Sequence, residues 1–317
     1  MLHRLLTHGD PVDSRNGPTL ELAAQKITIT HPTERFLFSP GRNNNPFAAI
    51  AEAMWVIAGR NDLAYLTPYL RRAPRYSDDG GLTWRAGYGP RLRNWQGVDQ
   101  VFHVYSALTA APESRRAAMS LFDPASDFST SADVPCNNWL HFLTRNGRLD
   151  LNVAARSTDI WFGFSAINIF EWSLLLEMMA RWLRLDVGTL TFFTSSLHLY
   201  QEHRERAQRV LELSNEAPGY IGDTQLRYDT DFAHAGLAHQ TWMDLERQVR
   251  GGADLDDLTV SLSDPMLLGY IQAIDVFWAF KRHVGAAALA SRIARFADTD
   301  LAAAAAEFVS RPQALNH

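Results

Sequence analysis

The sequence predicts an α+β fold: a mixed sheet backed by long buried helices, with a helical C-terminal extension. Three observations point there. Segments rich in β-branched or alternating apolar residues recur up to residue 203, as half-buried strands require. Between them lie apolar stretches too long for strands, which read as buried helices. Beyond about residue 204 the pattern turns mainly helical.

Taken in order, TLELAAQKITIT (19–30) ends in alternating β-branched residues and reads as a strand. HPTERFLFSPGRNNNP carries turn residues and reads as a loop. PFAAIAEAMWVIAGRNDLAYL (46–66) has apolar residues at helical spacing and predicts one buried helix, with Glu52 inside it. SDDGGLTWRAGYGPRL (77–92), rich in glycine and arginine, predicts an irregular stretch. VDQVFHVYSALTAAPESRR predicts a helix ending near Pro112, and AAMSLFD a short strand. CNNWLHFLTRNGRLDLNVAARSTD predicts two strands joined at Asn146-Gly147, a hairpin signal because both turn residues tolerate positive φ. INIFEWSLLLEMMARWLRL (167–185) is almost wholly apolar and predicts a central helix. TLTFFTSSLHLYQEH (189–203) predicts a strand leading into a helix, and LAAAAAEF (301–308) a late helix. No linker or internal repeat stands out. The expectation is a single domain over 1–317, with a core at about 13–203 and the helical extension at about 204–317.

Bulk properties narrow the function. Of 317 residues, 46% are hydrophobic and 21% charged, so a sizeable core can form in water. A net charge of −5 argues against a nucleic-acid coat or a membrane-surface protein. No apolar run reaches the ~18 residues of a spanning helix. The N-terminus turns polar too early for a signal peptide. One cysteine excludes an intrachain disulfide framework and any multi-cysteine metal site. A cytoplasmic enzyme without a metal, a membrane or a nucleic-acid partner is expected. The common nucleotide-binding and hydrolase motifs, GxGxxG after a strand, GxxxxGK[ST] and GxSxG, are missing.

That one cysteine, Cys136, sits in DVPCNNWLHF. A lone cysteine is ordinarily a small buried hydrophobe. It becomes a nucleophile when positive charge or backbone donors stabilise its thiolate. Arg15, Arg115, Arg116 and Arg156 could supply such charge if the sheet brings them near. Arg115 and Arg116 read either as a solvated helix end or as a phosphate-binding pair. In ARSTDIWFGF, Arg156, Ser157 and Asp159 either close a hairpin or form an anion and base-edge site. His198 and Tyr200, two apart on a strand, share a face. Glu52 in an apolar helix is either partly exposed or a tuned acid–base group, since a buried carboxylate is costly without a partner.

The order and spacing of these pieces resemble the thymidylate synthase family, which includes the pyrimidine-nucleotide hydroxymethylases. The resemblance covers roughly residues 13–203. It is carried by SRNGPT, AEAMWVIAGRNDLAYL, SDDGGLTWRAGYGPRLRNW, ESRRAAMS, DVPCNNWLHF, ARSTDIWFGF-SAIN and SSLHLYQEH. It implies that Cys136 adds to C6 of a pyrimidine nucleoside 5′-monophosphate, with Tyr88 beside the thiol. It also implies a homodimer, in which Arg156, Ser157 and Arg15 bind the phosphate with Arg115 and Arg116 of a second subunit. Asn168 would read the pyrimidine edge, and His198 and Tyr200 would hold the sugar 3′-hydroxyl. Asp159 would anchor the pterin of 5,10-methylenetetrahydrofolate, and Glu52 would run the proton-transferring water network.

The sequence also departs from the synthases of that family. Their tryptophan before the Asp-rich turn is missing in RRAPRYSDDGG, where Ala73 or Pro74 falls nearby and would admit water. Their histidine after the cysteine is Asn137 here. One residue is inserted before Asn168. The C-terminus, ADTDLAAAAAEFVSRPQALNH, does not resemble the segment that closes over folate. The first and last departures favour water over hydride as final acceptor, hence C5 hydroxymethylation. Reductive methylation and a catalytically silent nucleotide-binding protein are the alternatives.

Overall fold

A computed structural model describes residues 1–131, 133–214, 220 and 223–311; the last residues of the expected extension, 312–317, lie outside them. The strands are β1 (Asp10–Ser14), β2 (Gly17–Ile29), β3 (Ala118–Ser120), β4 (Asn137–Arg145), β5 (Arg148–Ala155), β6 (Thr158–Asp159) and β7 (Asp186–Tyr200). They form a seven-stranded sheet in the order β1-β2-β7-β5-β4-β3, with β6 beside β7. The β5/β7 and β6/β7 pairs are parallel and the rest antiparallel, so the sheet is mixed. The β4–β5 hairpin turns at Asn146 (φ 52°) and Gly147 (φ 74°), both left-handed as a two-residue primed turn demands.

The helices are α1 (Leu2–His8), α2 (Pro46–Ile57), α3 (Leu63–Leu66), α4 (Tyr88–Arg93), α5 (Gln100–Ala110), α6 (Pro124–Asp127), α7 (Ile169–Leu183), α8 (Arg204–Leu213), α9 (Phe232–Arg250), α10 (Pro265–Lys281), α11 (Ala286–Ile293) and α12 (Asp300–Val309). The single helix expected over 46–66 is two. Asn45 caps α2 by accepting from the Ala48 amide, and Pro46 opens it. The helix stops at Ala58, and Gly59 turns the chain at φ 73°. Asp62 then caps α3. The glycine-rich stretch at 77–92 is less irregular than expected, because α4 begins at Tyr88 within it.

One sheet face is covered. Leu140 and Phe142 of β4, Leu149, Leu151 and Val153 of β5, and Leu190 and Phe192 of β7 are buried on it, with α7 packed over β5 and β7. The alternate residues Trp139, His141 and Asn152 are half-buried on the other face, and Phe193 there is exposed. Helix α2 is buried along its whole length. It packs against α7 and also against α9, α10 and α12, so the extension forms a further helical layer behind it. Among the described residues no helix is long and apolar enough to cross a membrane.

Between β6 and α7 runs a nine-residue π-helix, Ile160–Asn168. The sequence predicts only a strand end and a turn here. Such wide turns accommodate an extra residue within a helix and recur at functional sites. The residue inserted before Asn168 falls inside this segment.

Candidate active site

Cys136 lies just before β4, half-buried, and β5 delivers Arg156 to it. The Arg156 amide donates to the Cys136 carbonyl at 2.9 Å. Its guanidinium donates to the carbonyls of Pro135 (3.0 Å) and Val134 (2.7 Å), and Nη2 lies 3.6 Å from the Cys136 sulfur. One of the four anticipated arginines therefore does touch the thiol.

The others are placed differently. Arg15, in the β1–β2 turn, donates to the Ser131 carbonyl at 3.3 Å, on the loop leading to Cys136. Arg115 and Arg116 are exposed beside β3. The Arg115 carbonyl pairs with the His141 ring at 3.1 Å, five residues beyond Cys136 along β4. That is roughly 17 Å away at ~3.3 Å per residue. Within one chain these two arginines do not join the cysteine. The thiol's surroundings are accordingly less electropositive than expected. Burial pushes the Cys136 thiol up; Arg156 opposes this, and Asp133 and Asp159 add to it. The resting group is a thiol.

Tyr88, at the start of α4, is locked to the cysteine segment. Its hydroxyl accepts from the Asn137 backbone amide (3.1 Å) and side-chain Nδ2 (2.7 Å). Its ring leans on Trp172, with centroids 5.2 Å apart. Burial, and then the neighbouring Cys136, hold its phenol well above the ordinary range.

Glu52 is buried on α2, and its Oε2 has no hydrogen-bond partner. Glu171, also buried and absent from the sequence-based set, has an unpartnered Oε1. Its Oε2 accepts from the Asn168 amide at 3.1 Å. Burial raises both carboxyls: Glu171 reaches about 8, and Glu52 is pushed well above its ordinary value by burial and then by Glu171. Two neighbouring buried carboxyls cannot both ionise easily, so the pair retains at least one proton at neutral pH.

Asp159 caps the π-helix, accepting from the amides of Trp161 (2.9 Å) and Phe162 (3.1 Å). It lies opposite His198 in the β6–β7 pairing. His198 and Tyr200 share a face as predicted, their rings edge-on with centroids 5.2 Å apart. Burial lowers the His198 pKa, so the ring is neutral; Asp159 pulls the other way. Ser157 is half-buried between Arg156 and β6.

Two aromatic residues were missed. Ala73, expected to open the site to water, is itself buried. The aromatic nearest that place is Tyr76, stacked on Trp84 with centroids 5.2 Å apart and planes 12° from parallel. Trp84 donates to Asp133 Oδ2 at 2.7 Å. Burial raises the Tyr76 phenol, and Asp133, Tyr200 and Asp159 lie close enough to add to the effect. The run RYSDDGGLTW carries this signal, two aromatics bracketing a tight turn. Among the described residues no cluster of three His, Cys, Asp or Glu could hold a metal.

The family model described as "Thymidylate synthase" matches residues 1–230, ending two residues before α9. A protein of Bacillus phage SP01 named deoxyuridylate hydroxymethyltransferase is 36% identical over 212 residues, covering 63% of this chain and 55% of the relative. One of the same name from Pseudomonas phage M6 is 33% identical over 216 residues, covering 67% and 61%. The chain thus spans less than two thirds of either relative. The crystal structure of thymidylate synthase from T4 phage is similar with a TM-score of 0.57 and 24% identity, covering 69% of this chain and 80% of that one. At that identity the likeness concerns the fold alone.

Proposed function

Since this chain belongs to the thymidylate synthase family, we propose that it hydroxymethylates C5 of deoxyuridine 5′-monophosphate, dUMP, in the cytoplasm. The observation that carries the reading is Arg156 reaching from β5 to within 3.6 Å of the only sulfur of a cysteine in the chain. Cys136 loses its thiol proton to solvent and its sulfur adds to C6 of the ring. The displaced electron pair makes C5 nucleophilic, and the C6–S bond breaks again as the product leaves, splitting one hard step into easier ones. Arg156 offsets the burial penalty as negative charge develops on sulfur. Arg156, Ser157 and Arg15 bind the phosphate. His198 and Tyr200 hold the sugar hydroxyl.

Asn168 reads N3 and O4 of the base, and its remaining N–H stabilises charge that develops at O4. Glu52 takes up and returns the protons of the C5 steps, a role suited to a carboxyl that keeps its proton near neutrality. Tyr88, tied to Asn137, keeps the cysteine segment in place. The final acceptor is water, in keeping with the names of the phage relatives and with the departures in the sequence.

The residues also fit 5,10-methylenetetrahydrofolate. Each Asp159 oxygen receives one backbone N–H and keeps a lone pair for a pterin donor. The Tyr76–Trp84 stack and the 43%-exposed Phe162 offer flat apolar faces close by. When bound, the folate supplies the one-carbon unit.

A homodimer completes the site in this reading, with the whole chain acting as one domain. Support comes from the open sheet face carrying Trp139, His141 and Phe193, and from exposed Arg115 and Arg116, which among the described residues lie away from Cys136 of their own chain. Tritium release from [5-³H]dUMP, dependent on methylenetetrahydrofolate, tests the reaction. The expected product gains CH2O. A product gaining CH2 would show reductive methylation instead, and no release with wild type would contradict the proposal.

A further inference from the structure

We propose that Glu171 fixes the orientation of the Asn168 amide and thereby makes the site read uracil in preference to cytosine. The inference rests on Asn168 being the base reader. The geometry is specific. Asn168 ends the π-helix, and Glu171 stands one helical turn later on α7. The Asn168 Nδ2 donates to Glu171 Oε2 at 3.1 Å. The amide oxygen is turned the other way, towards Gly163, five residues earlier and one π-turn below. A Cβ built on Gly163 would sit 3.5 Å from Asn168 Oδ1, so the glycine places no side chain against the oxygen from that direction.

With Nδ2 tied to the carboxyl, the amide offers an acceptor, Oδ1, beside one remaining N–H. Uracil presents the complement, an N3–H donor beside the O4 acceptor. Cytosine presents the reverse, an N3 acceptor beside an amino donor, and would need the amide flipped. With the carboxyl proton on Glu171 Oε1, the oxygen that has no other partner, Oε2 is an acceptor only; flipping sets Oδ1 against it and breaks the hydrogen bond. A site built to satisfy one edge discriminates because the wrong edge leaves buried polar groups unmatched.

Glu171 is only 2% exposed, and among the described residues Asn168 Nδ2 is the one donor to its carboxyl. The titratable groups facing it are Glu52 from α2 and Tyr88 from α4, and neither donates to it. An orphaned buried carboxyl is unfavourable in a merely structural place. It is accounted for if its task is to hold the amide.

Calorimetric binding of dUMP and dCMP to the full chain tests this. Wild type should bind dUMP at least tenfold more tightly than dCMP. Glu171→Met fills the same space without an acceptor and should lower that ratio about tenfold, the effect of one hydrogen bond. Glu171→Gln keeps an acceptor and should hold the ratio within about threefold of wild type. Glu171→Leu removes the acceptor with different packing and must show the loss if Glu171→Met fails to fold. A wild-type ratio in a folded Met or Leu variant overturns the proposal, as does loss of the ratio in Glu171→Gln. Wild type that discriminates in binding but makes no product contradicts the proposed reaction and leaves this inference standing. Wild type that binds neither nucleotide overturns both.

Discussion

The helical extension and the interior beside Tyr88 and Cys136 both bury carboxyls, and they treat them in opposite ways. In the extension, Asp275 of α10 receives Arg292 and Arg295, each at 2.9 Å. Glu246 of α9 is held by Arg250 at 2.9 Å and by the Tyr69 hydroxyl at 2.7 Å. Asp264 caps α10 through the amides of Met266 and Leu267, both at 3.0 Å. Beside Tyr88, Glu52 and Glu171 have no ion-pair partner among the described residues, and each leaves an oxygen unsatisfied. A matched buried charge holds helices together. An unmatched one is a carboxyl kept neutral near pH 7, which can give and take protons.

Four measurements would break or sharpen that contrast. The largest effect is expected from Glu52→Gln. Turnover should fall roughly 10²–10⁴-fold, the usual worth of a positioned acid–base group, while the melting temperature stays level or rises. A variant that melts much earlier with normal turnover would make Glu52 a structural residue.

Next comes Asp275→Ala, which leaves two arginines without their shared partner. Chemical denaturation should show a loss of about 2–4 kcal/mol, at the lower end of the buried range because both arginines are partly exposed. The rate per folded molecule should stay within about twofold of wild type. A large loss of rate without loss of stability would place the extension's clusters in the chemistry.

A smaller effect is expected in the pH dependence of stability. The Glu171 carboxyl is raised from 4.5 to about 8 in the folded chain. The native state therefore keeps a proton that the unfolded chain releases above about pH 4.5, and wild type loses stability as pH rises towards 8. Glu171→Gln cannot release that proton. Its stability relative to wild type should grow by roughly 1 kcal/mol or more between about pH 5 and about pH 8. A flat difference across that range would mean that the carboxyl is not held neutral. The smallest effect belongs to Glu171→Met, the change in nucleotide preference described above.

Which parts of this were legible in the sequence follows from physics. The hairpin at Asn146-Gly147 was readable because positive φ at two successive residues leaves few choices of side chain. Strands β2 and β7 and helix α7 were readable from periodicity alone. The break after α2 was not, because apolar spacing continues across Gly59 into α3 while the backbone turns. The π-helix was missed because a one-residue widening leaves no mark in composition. Glu171 was missed although it carries the signal that marked Glu52, an acid in an apolar helix. That signal alone does not separate roles: Glu177, on the same helix, pairs with buried Arg35. Only the partner distinguishes a structural acid from a reactive one, and partners come from the fold. Arg115 and Arg116 show the same limit, since their proposed role depends on a second chain.

The most direct test is covalent. The protein is incubated with 5-fluoro-dUMP and methylenetetrahydrofolate, and its intact mass and peptide map are recorded. Wild type should gain the nucleotide on the peptide containing Cys136, and Cys136→Ser should remain unmodified. Wild type that binds the nucleotide without a covalent adduct, or a Cys136→Ser protein modified to the same extent, would contradict the account.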